Sequence, residues 1–97
     1  MIRHIVVFSW LPQATDKQKQ RAAAEIATLP PLMRGLVSYS FGPDAGLAAG
    51  NADFAIVADF DDADAYVAYR DHPAHVDVIK RAIQPIVRQR MGVQLEI

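Results

Sequence analysis

The sequence predicts an α+β domain in which strands and helices follow one another in the order βαββαβ, with four strands in one antiparallel sheet. Four segments rich in β-branched and aromatic residues predict the strands. Apolar residues at helical spacing between these segments predict the helices. The chain has 97 residues, a length that usually forms one domain, here residues 1–97.

The first strand is expected at residues 3–10, because β-branched and aromatic side chains dominate this segment. Alternation at period two gives one face of this strand four residues: His4, Val6, Phe8 and Trp10. The other face carries Ile5, Val7 and Ser9. Both faces are largely apolar, so we expect both to be covered.

The first helix is expected to begin after Thr15, because Thr15 and Gln18 have the spacing of a capping box. It should continue to about residue 28 and stop before Pro30. Its apolar stripe consists of Ala22, Ala23, Ile26 and Leu29. Because this stripe is largely alanine, the helix can approach the sheet closely or leave space beneath it.

The second and third strands are expected at residues 36–41 and 53–60, joined by a glycine-containing loop over residues 42–52. In the second strand, alternation sets Leu36, Ser38 and Ser40 against Val37, Tyr39 and Phe41. In the third strand, it sets Phe54, Ile56, Ala58 and Phe60 against Ala55, Val57 and Asp59.

A second helix is expected to open at residues 61–64, three of which are aspartates, and to end before Pro73. A third helix begins at Pro73, a residue suited to the first helical position, and runs to Ile86 with a kink at Pro85. The fourth strand is expected at residues 91–97, where Val93, Leu95 and Ile97 alternate with Gln94 and Glu96.

This order of elements is the split βαβ arrangement of ferredoxin-like folds. In so short a chain, the helices can cover only one face of the sheet. The opposite face would then expose Ile5, Val7, Ala55 and Val57. We therefore expect a homodimer in which the two open faces pack together and the two sheets form a dimeric α/β barrel.

Composition excludes several classes of function. A formal net charge of −1 and a pI near 6.2 provide no basic field for a nucleic acid partner. The absence of cysteine excludes disulfides, thiol catalysis and cysteine-ligated metals. No apolar run approaches the roughly 20 residues that span a bilayer. No membrane partner is therefore expected. Because no signal peptide precedes the first strand, the predicted location is cytoplasmic.

A metal site is not expected. His72 and His75, with Asp71 or Asp77, are suitable residue types, but two histidines that straddle a proline junction lack a common helix face. The three aspartates within residues 61–64 lack the spacing of a calcium loop.

Three ring-bearing side chains are the candidates for chemistry. His4 lies on the inward face of the first strand, Tyr69 on the second helix and His75 in the first turn of the third. A neutral imidazole can take a proton near pH 7, and a tyrosine hydroxyl can orient a substrate oxygen. The same histidines could instead be hydrogen-bonded core residues. We expect His72 to cap or solvate the turn before Pro73.

Three segments together resemble the stress-responsive α/β-barrel (Dabb) domain family, namely Ile2-Arg3-His4-Ile5-Val6-Val7-Phe8, the Phe60-Asp61 end of the third strand, and Tyr69-Arg70-Asp71-His72-Pro73-Ala74-His75. The resemblance covers nearly the whole chain and implies a ferredoxin-like subunit that dimerises through its sheet. The family includes polyketide cyclases of the olivetolic acid cyclase type, which perform an aldol condensation. The resemblance implies that Tyr69 and His75 match their catalytic pair and that His4 matches another pocket histidine. Their bulkier pocket residues fall on Ala22, Ala23 and Ile26, which implies a differently shaped cavity.

These positions predict a ligand pocket between the helices and the sheet. Its expected lining is His4, Val6, Phe8, Ile26, Ile56, Tyr66 and Ile79. The expected ligand is a small hydrophobic carbonyl or aromatic compound. Aldol or enolisation chemistry, with His75 as the base and Tyr69 as the orienting hydroxyl, would need no cofactor.

Two alternatives stay open, so the sequence leaves undecided whether the protein is an enzyme. One is a structural or stress-response protein with a filled core. The other is a cofactor-free monooxygenase of the same barrel architecture. A void of about 300 Å³ or more beside His75 would favour ligand binding.

Overall fold

The computed structural model describes residues 1–97, and its elements follow the predicted βαββαβ order. The strands are β1 (Ile2–Trp10), β2 (Leu36–Pro43), β3 (Phe54–Phe60) and β4 (Val87–Glu96). The helices are α1 (Asp16–Ile26), α2 (Ala63–Asp71) and α3 (Pro73–Val78), with a 3₁₀ turn at Pro30–Leu32 and a π-helical turn at Ile79–Ile83. The predicted ferredoxin-like α+β class is confirmed. None of these helices has the length and apolar character needed to cross a membrane.

The four strands form one antiparallel sheet in the order β2–β3–β1–β4. β1 and β3 are therefore central, and β2 and β4 are the edges. His4 of β1 lies opposite Ala58 of β3 and Gln94 of β4. Residues opposite each other share a face, so this register decides which side chains of the edge strand lie beside His4.

The helices cover one face of the sheet, and the core lies between them and the central strands. The largest fully buried side chains are Phe8, Ile26, Leu29, Phe60 and Ile83. The capping box at the start of α1 is confirmed: the Gln18 backbone N–H donates to the Thr15 hydroxyl at 3.2 Å, and the Thr15 backbone N–H donates to the Gln18 side-chain oxygen at 2.9 Å. The stripe of alanines brings α1 close to the core, where Ala22 is 0% exposed.

One residue of β2 departs from the predicted alternation. The pairing with β3 shifts between Leu36 and Ser38, so Val37 is an extra residue, as in a β-bulge. Leu36 and Tyr39 consequently both pack against the helix side of the core. Strict alternation placed these two residues on opposite faces, and that assignment was wrong for Leu36.

The chain after α3 differs from the prediction in two respects. The helix does not run to Ile86 with a kink. Instead, the Gln84 N–H donates to the Ile79 carbonyl five residues earlier, and the helical region ends at Ile83. Pro85 lies in the following turn, because proline has no N–H with which to continue helical bonding. β4 then begins at Val87, well before the predicted start at residue 91.

The face of the sheet away from the helices, which we call the open face, is apolar and uncovered in the protomer. It carries the half-buried residues Ile5, Val7, Ala55 and Val57. β4 extends it with Met91, Val93 and Leu95, which are 61%, 49% and 45% exposed. Contiguous apolar surface of this kind is typical of an interaction site.

Candidate functional site

The junction between α2 and α3 positions His75. Pro73 opens α3, where its fixed φ suits the first helical position. His72 caps this helix, because its ring Nδ1 accepts the Ala74 N–H at 3.0 Å. The ring of His75 turns back toward α2, and its Nδ1 donates to the carbonyl oxygen of Arg70 at 3.0 Å.

This last hydrogen bond fixes the protonation of the His75 ring. A carbonyl oxygen can only accept, so Nδ1 carries the proton and Nε2 carries the free lone pair. Burial lowers the pKa of His75, the hydrogen bond to the Arg70 carbonyl opposes this shift, and the positive charge of Arg90 adds to it. His75 is therefore neutral at pH 7, and its Nε2 can accept a proton.

Tyr69 lies against His75, with ring centroids 4.3 Å apart. It is 2% exposed, and its hydroxyl is 3.0 Å from the hydroxyl of Tyr39 on β2. Burial raises the pKa of both tyrosines. The Tyr69 hydroxyl thus keeps its proton at neutral pH and can serve as a hydrogen-bond donor, but not as a base.

His4 lies beside this pair on β1 and is 3% exposed. The side-chain amide of Gln94 donates to Nδ1 of His4 at 3.0 Å. The His4 ring centroid lies 5.0 Å from that of Tyr66 and 6.0 Å from that of Tyr69. Burial lowers the pKa of His4 to about 4, with a smaller contribution from the Arg90 charge. His4 is therefore a neutral, hydrogen-bonded core residue at pH 7.

Sequence patterns did not identify three members of this cluster, namely Tyr39, Arg90 and Gln94. Arg90 lies opposite Phe8 and Gln94 lies opposite His4, so both belong to the helix side of the sheet. A signal for the two β4 residues is present in the sequence. The alternation sets Arg90, Gly92 and Gln94, none of which has an apolar side chain, against the apolar residues Met91, Val93 and Leu95. Polar residues on the face that helices should cover indicate a site there.

The space predicted to hold a ligand is filled in the protomer. Four of the seven residues expected to line it are packed in the main core: Val6, Phe8, Ile26 and Ile56. None of the seven, and not His75 either, lines any of the five cavities. The Trp10 ring stacks on the Phe8 ring, with ring centroids 5.7 Å apart. The ring centroids of Trp10 and Phe54 are 5.8 Å apart. These rings occupy the space near the alanine stripe, so the structure has no pocket at the predicted place.

One small cavity does reach the cluster. It has a volume of about 250 Å³, lies between the 3₁₀ turn and α2, and is lined by Leu32, Met33, Arg34, Ala68, Tyr69 and His72. A separate cleft of about 350 Å³ lies beside α1 and includes Trp10 and Lys19. No group of three or more histidine and carboxylate side chains is close enough to hold a metal ion.

The fold and this cluster define a ferredoxin-like α+β protein with neutral histidines and tyrosines gathered at one end of the space between helices and sheet. The family model described as Stress responsive A/B Barrel Domain matches residues 2–97. The chain therefore belongs to the Dabb family, which confirms the resemblance seen in the sequence. No protein of curated function matches the chain in sequence.

Several solved structures are similar to this chain. A dimeric ferredoxin-like protein of unknown function from Thermobifida fusca YX is 42% identical, with a TM-score of 0.92, and the match covers 99% of this chain and 90% of that one. The hydroxynitrile lyase of Passiflora edulis is 19% identical, with a TM-score of 0.85 and coverage of 99% and 92%. A cofactor-independent oxygenase from Streptomyces nogalater is 11% identical, with a TM-score of 0.77 and coverage of 99% and 91%. At these low identities, the likeness to the two enzymes shows a shared fold alone.

Proposed function

We propose that this Dabb protein works as a homodimer in which the two open faces pack against each other. The support is the apolar surface formed by Val7 and Val57 and extended by Met91 and Val93. A second copy removes this surface from water, and sheet-on-sheet packing is a common arrangement for two apolar faces. The Thermobifida fusca relative, at 42% identity, is described as dimeric.

A charged substitution on the open face tests the dimer. Val7→Lys places an ammonium group in the proposed interface, whereas Val67→Lys places the same group on the outer surface of α2, where Val67 is 39% exposed. Light scattering or native mass spectrometry should report two chains for the wild type and for Val67→Lys, but one chain for Val7→Lys. A wild-type monomer at micromolar concentration would contradict the proposal.

We further propose that each protomer carries an acid–base site for a small carbonyl compound. The observation that supports it is the hydrogen bond from His75 Nδ1 to the Arg70 carbonyl, which leaves Nε2 unprotonated. In this proposal, Nε2 removes a proton from the carbon beside a carbonyl, and the Tyr69 hydroxyl donates to the carbonyl oxygen that gains negative charge. Tyr39, 3.0 Å away, can donate in turn to Tyr69. Returning the proton to carbon completes the cycle without a cofactor.

Proton exchange measures this reaction directly. Enolisation in D₂O replaces hydrogen by deuterium at the carbon beside the carbonyl, and proton NMR follows the loss of that signal for a panel of small ketones. His75→Ala should lower the exchange rate by about 100-fold or more, which is the usual contribution of a general base. Val76→Ala, at an exposed position of the same helix, should leave the rate unchanged. Equal rates in the wild type and His75→Ala would remove His75 from the mechanism.

A second candidate is a dimeric structural protein that binds no ligand. The observation in its favour is the filled core, in which Phe8, Trp10 and Phe54 take the space predicted for a pocket. Native mass spectrometry of gently purified protein distinguishes the candidates, since it detects a retained small molecule together with the subunit count. Only the shared fold supports the alternative of a cofactor-free monooxygenase.

A further inference from the structure

Arg90 occupies an unusual place for an arginine of an edge strand. Its position opposite Phe8 turns it toward the helix side of the sheet, where His4 and His75 lie. The guanidinium folds along β4 over Gly92, with Nη2 and Nη1 at 3.5 Å and 3.7 Å from the point that a Cβ of Gly92 would take. The guanidinium therefore lies against Gly92, on the strand beside His4.

The charge of Arg90 is not neutralised by the protein. Arg3, Arg70 and Arg81 each form an ion pair with a carboxylate, whereas Arg90, like Arg21, Arg34 and Arg88, forms none and makes no side-chain hydrogen bond. The acidic residue at an equivalent position of β4 is Glu96, which also makes no ion pair. A guanidinium without a carboxylate partner is free to bind an anion.

The surroundings of Arg90 support this interpretation. Its positive charge acts on three members of the cluster: it adds to the lowering of the His4 and His75 pKa values by burial, and it opposes the rise that burial causes in the pKa of Tyr69. The helix side of β4 stays open, because Arg90, Gly92 and Gln94 are all exposed. The cation is therefore accessible to a small molecule, and the ring of His75, which lies on the same side of the sheet, is only partly buried.

We propose that Arg90 binds the carboxylate of the substrate, which makes small oxo acids the substrate class. This inference rests on the proposed acid–base site, because the carbonyl of the same molecule would lie against His75. Guanidinium groups bind carboxylates through two parallel hydrogen bonds, and they give geometric selectivity that a lysine ammonium does not. Arg90 would be a specificity-determining residue, and His75 would remain the base.

A matched pair of probes tests the proposal. Acetoacetate and acetylacetone have nearly the same shape, but a carboxylate oxygen of the first is replaced by a methyl group in the second. Titrations followed by NMR of the histidine ring protons give the dissociation constant of each. The wild type should bind acetoacetate about tenfold or more tightly than acetylacetone, as expected for a charge-assisted contact. Arg90→Gln should abolish this preference and leave acetylacetone binding unchanged.

The control is Arg21→Gln, which removes the same charge from an exposed position of α1 and should keep the full preference. Arg90→Lys should keep only part of it. The inference is overturned if the wild type does not prefer acetoacetate, if Arg90→Gln keeps the preference, or if inorganic phosphate displaces acetoacetate with equal affinity. Failure of the acid–base proposal is distinguishable. In that case the protein does not speed proton exchange of either probe, while it still prefers acetoacetate to acetylacetone in a manner that depends on Arg90.

Discussion

The Nδ1 atom of His75 donates a hydrogen bond to the carbonyl oxygen of Arg70 at 3.0 Å. The acceptor lies in the last turn of α2 and the donor in the first turn of α3, so the sharp junction at Pro73 brings them together. This hydrogen bond matters chemically because it determines which ring nitrogen of His75 is free to act as a base. The same junction brings the Tyr69 ring against the imidazole.

The pH dependence of exchange should follow the titration of His75. The base acts only when neutral, and burial lowers the pKa of His75 below its ordinary value of 6.5. We therefore expect the rate to persist below pH 6.5 and to fall only at more acidic pH. A pH–rate profile and an NMR titration of the His75 ring should give the same midpoint. A midpoint at or above 6.5 would contradict this.

His4 should make folding stability depend on pH. Its folded pKa is about 4, whereas an unfolded histidine titrates near 6.5. Between these two pKa values, His4 is protonated in the unfolded chain but not in the folded one. The contribution of His4 to the free energy of unfolding is therefore fully present above about pH 6.5 and is lost as the pH falls through 4. The free energy of unfolding should fall by about 3 kcal/mol from this group between pH 7 and pH 4.

His4→Gln provides the comparison for that prediction. The carboxylates titrate in both proteins, so the difference between wild type and variant isolates the histidine. Urea unfolding at a series of pH values measures both. Identical pH dependence in the two proteins would show that His4 is not held neutral by burial.

The hydroxyl pair of Tyr39 and Tyr69 should be energetically coupled. Removal of one hydroxyl leaves the other buried without a hydrogen bond, whereas removal of both leaves no unpaired hydroxyl. Tyr39→Phe and Tyr69→Phe should each destabilise the fold by about 1–2 kcal/mol, and the double variant by less than their sum. Tyr66→Phe is the control, because its hydroxyl makes no hydrogen bond with the protein. Simple additivity in urea unfolding would contradict the coupling.

The sequence predicted the fold well because its patterns depend on local spacing. The capping box of Thr15 and Gln18, the face carried by His4 and the start of α3 at Pro73 each follow from a few neighbouring residues. Errors arose where the signal depends on partners distant in sequence. A bulge at Val37 cannot be read from alternation, because it is defined by the pairing of β2 with β3.

The candidate site was only partly predictable for the same reason. His4, Tyr69 and His75 were identified, and the structure brings them together. The position of Arg90 was missed because its charge suggests a solvated surface, and only the register of β4 against β1 places it on the helix side of the sheet. Filling of the predicted pocket depends on the packing of Trp10 against other rings, which spacing does not determine.

Gly35 should be intolerant of any side chain. Its φ is +72°, and a Cβ built on it would lie 2.7 Å from the Cβ of Ala65 on α2. Gly35→Ala should therefore lower the free energy of unfolding by about 2–3 kcal/mol, from the left-handed backbone and from the clash. Gly50→Ala isolates the backbone contribution, since its φ is +81° with nothing within 4 Å, and it should cost about 1 kcal/mol. Equal costs in thermal unfolding would exclude close packing at Gly35.

The Arg3–Asp59 ion pair should control association of the proposed dimer. Arg3 Nε and Nη2 donate to the two carboxylate oxygens of Asp59 at 2.8 Å and 2.9 Å, and Ser38 donates a further hydrogen bond at 3.1 Å. Both charged groups lie on the open face, so dimerisation would shield them further from water. Arg3→Met should weaken the dimer, because it leaves the Asp59 carboxylate without its cation in the interface.

Removal of both charges should have a smaller effect than removal of one. In the double variant Arg3→Met/Asp59→Leu, two apolar side chains replace the pair, and burial of apolar groups opposes the loss of the ionic contact. We expect the dimer dissociation constant, measured by analytical ultracentrifugation, to rise about tenfold or more in Arg3→Met and to return toward the wild-type value in the double variant. If neither variant changes this constant, the ion pair lies outside the interface, and the two sheets do not pack through this part of the open face.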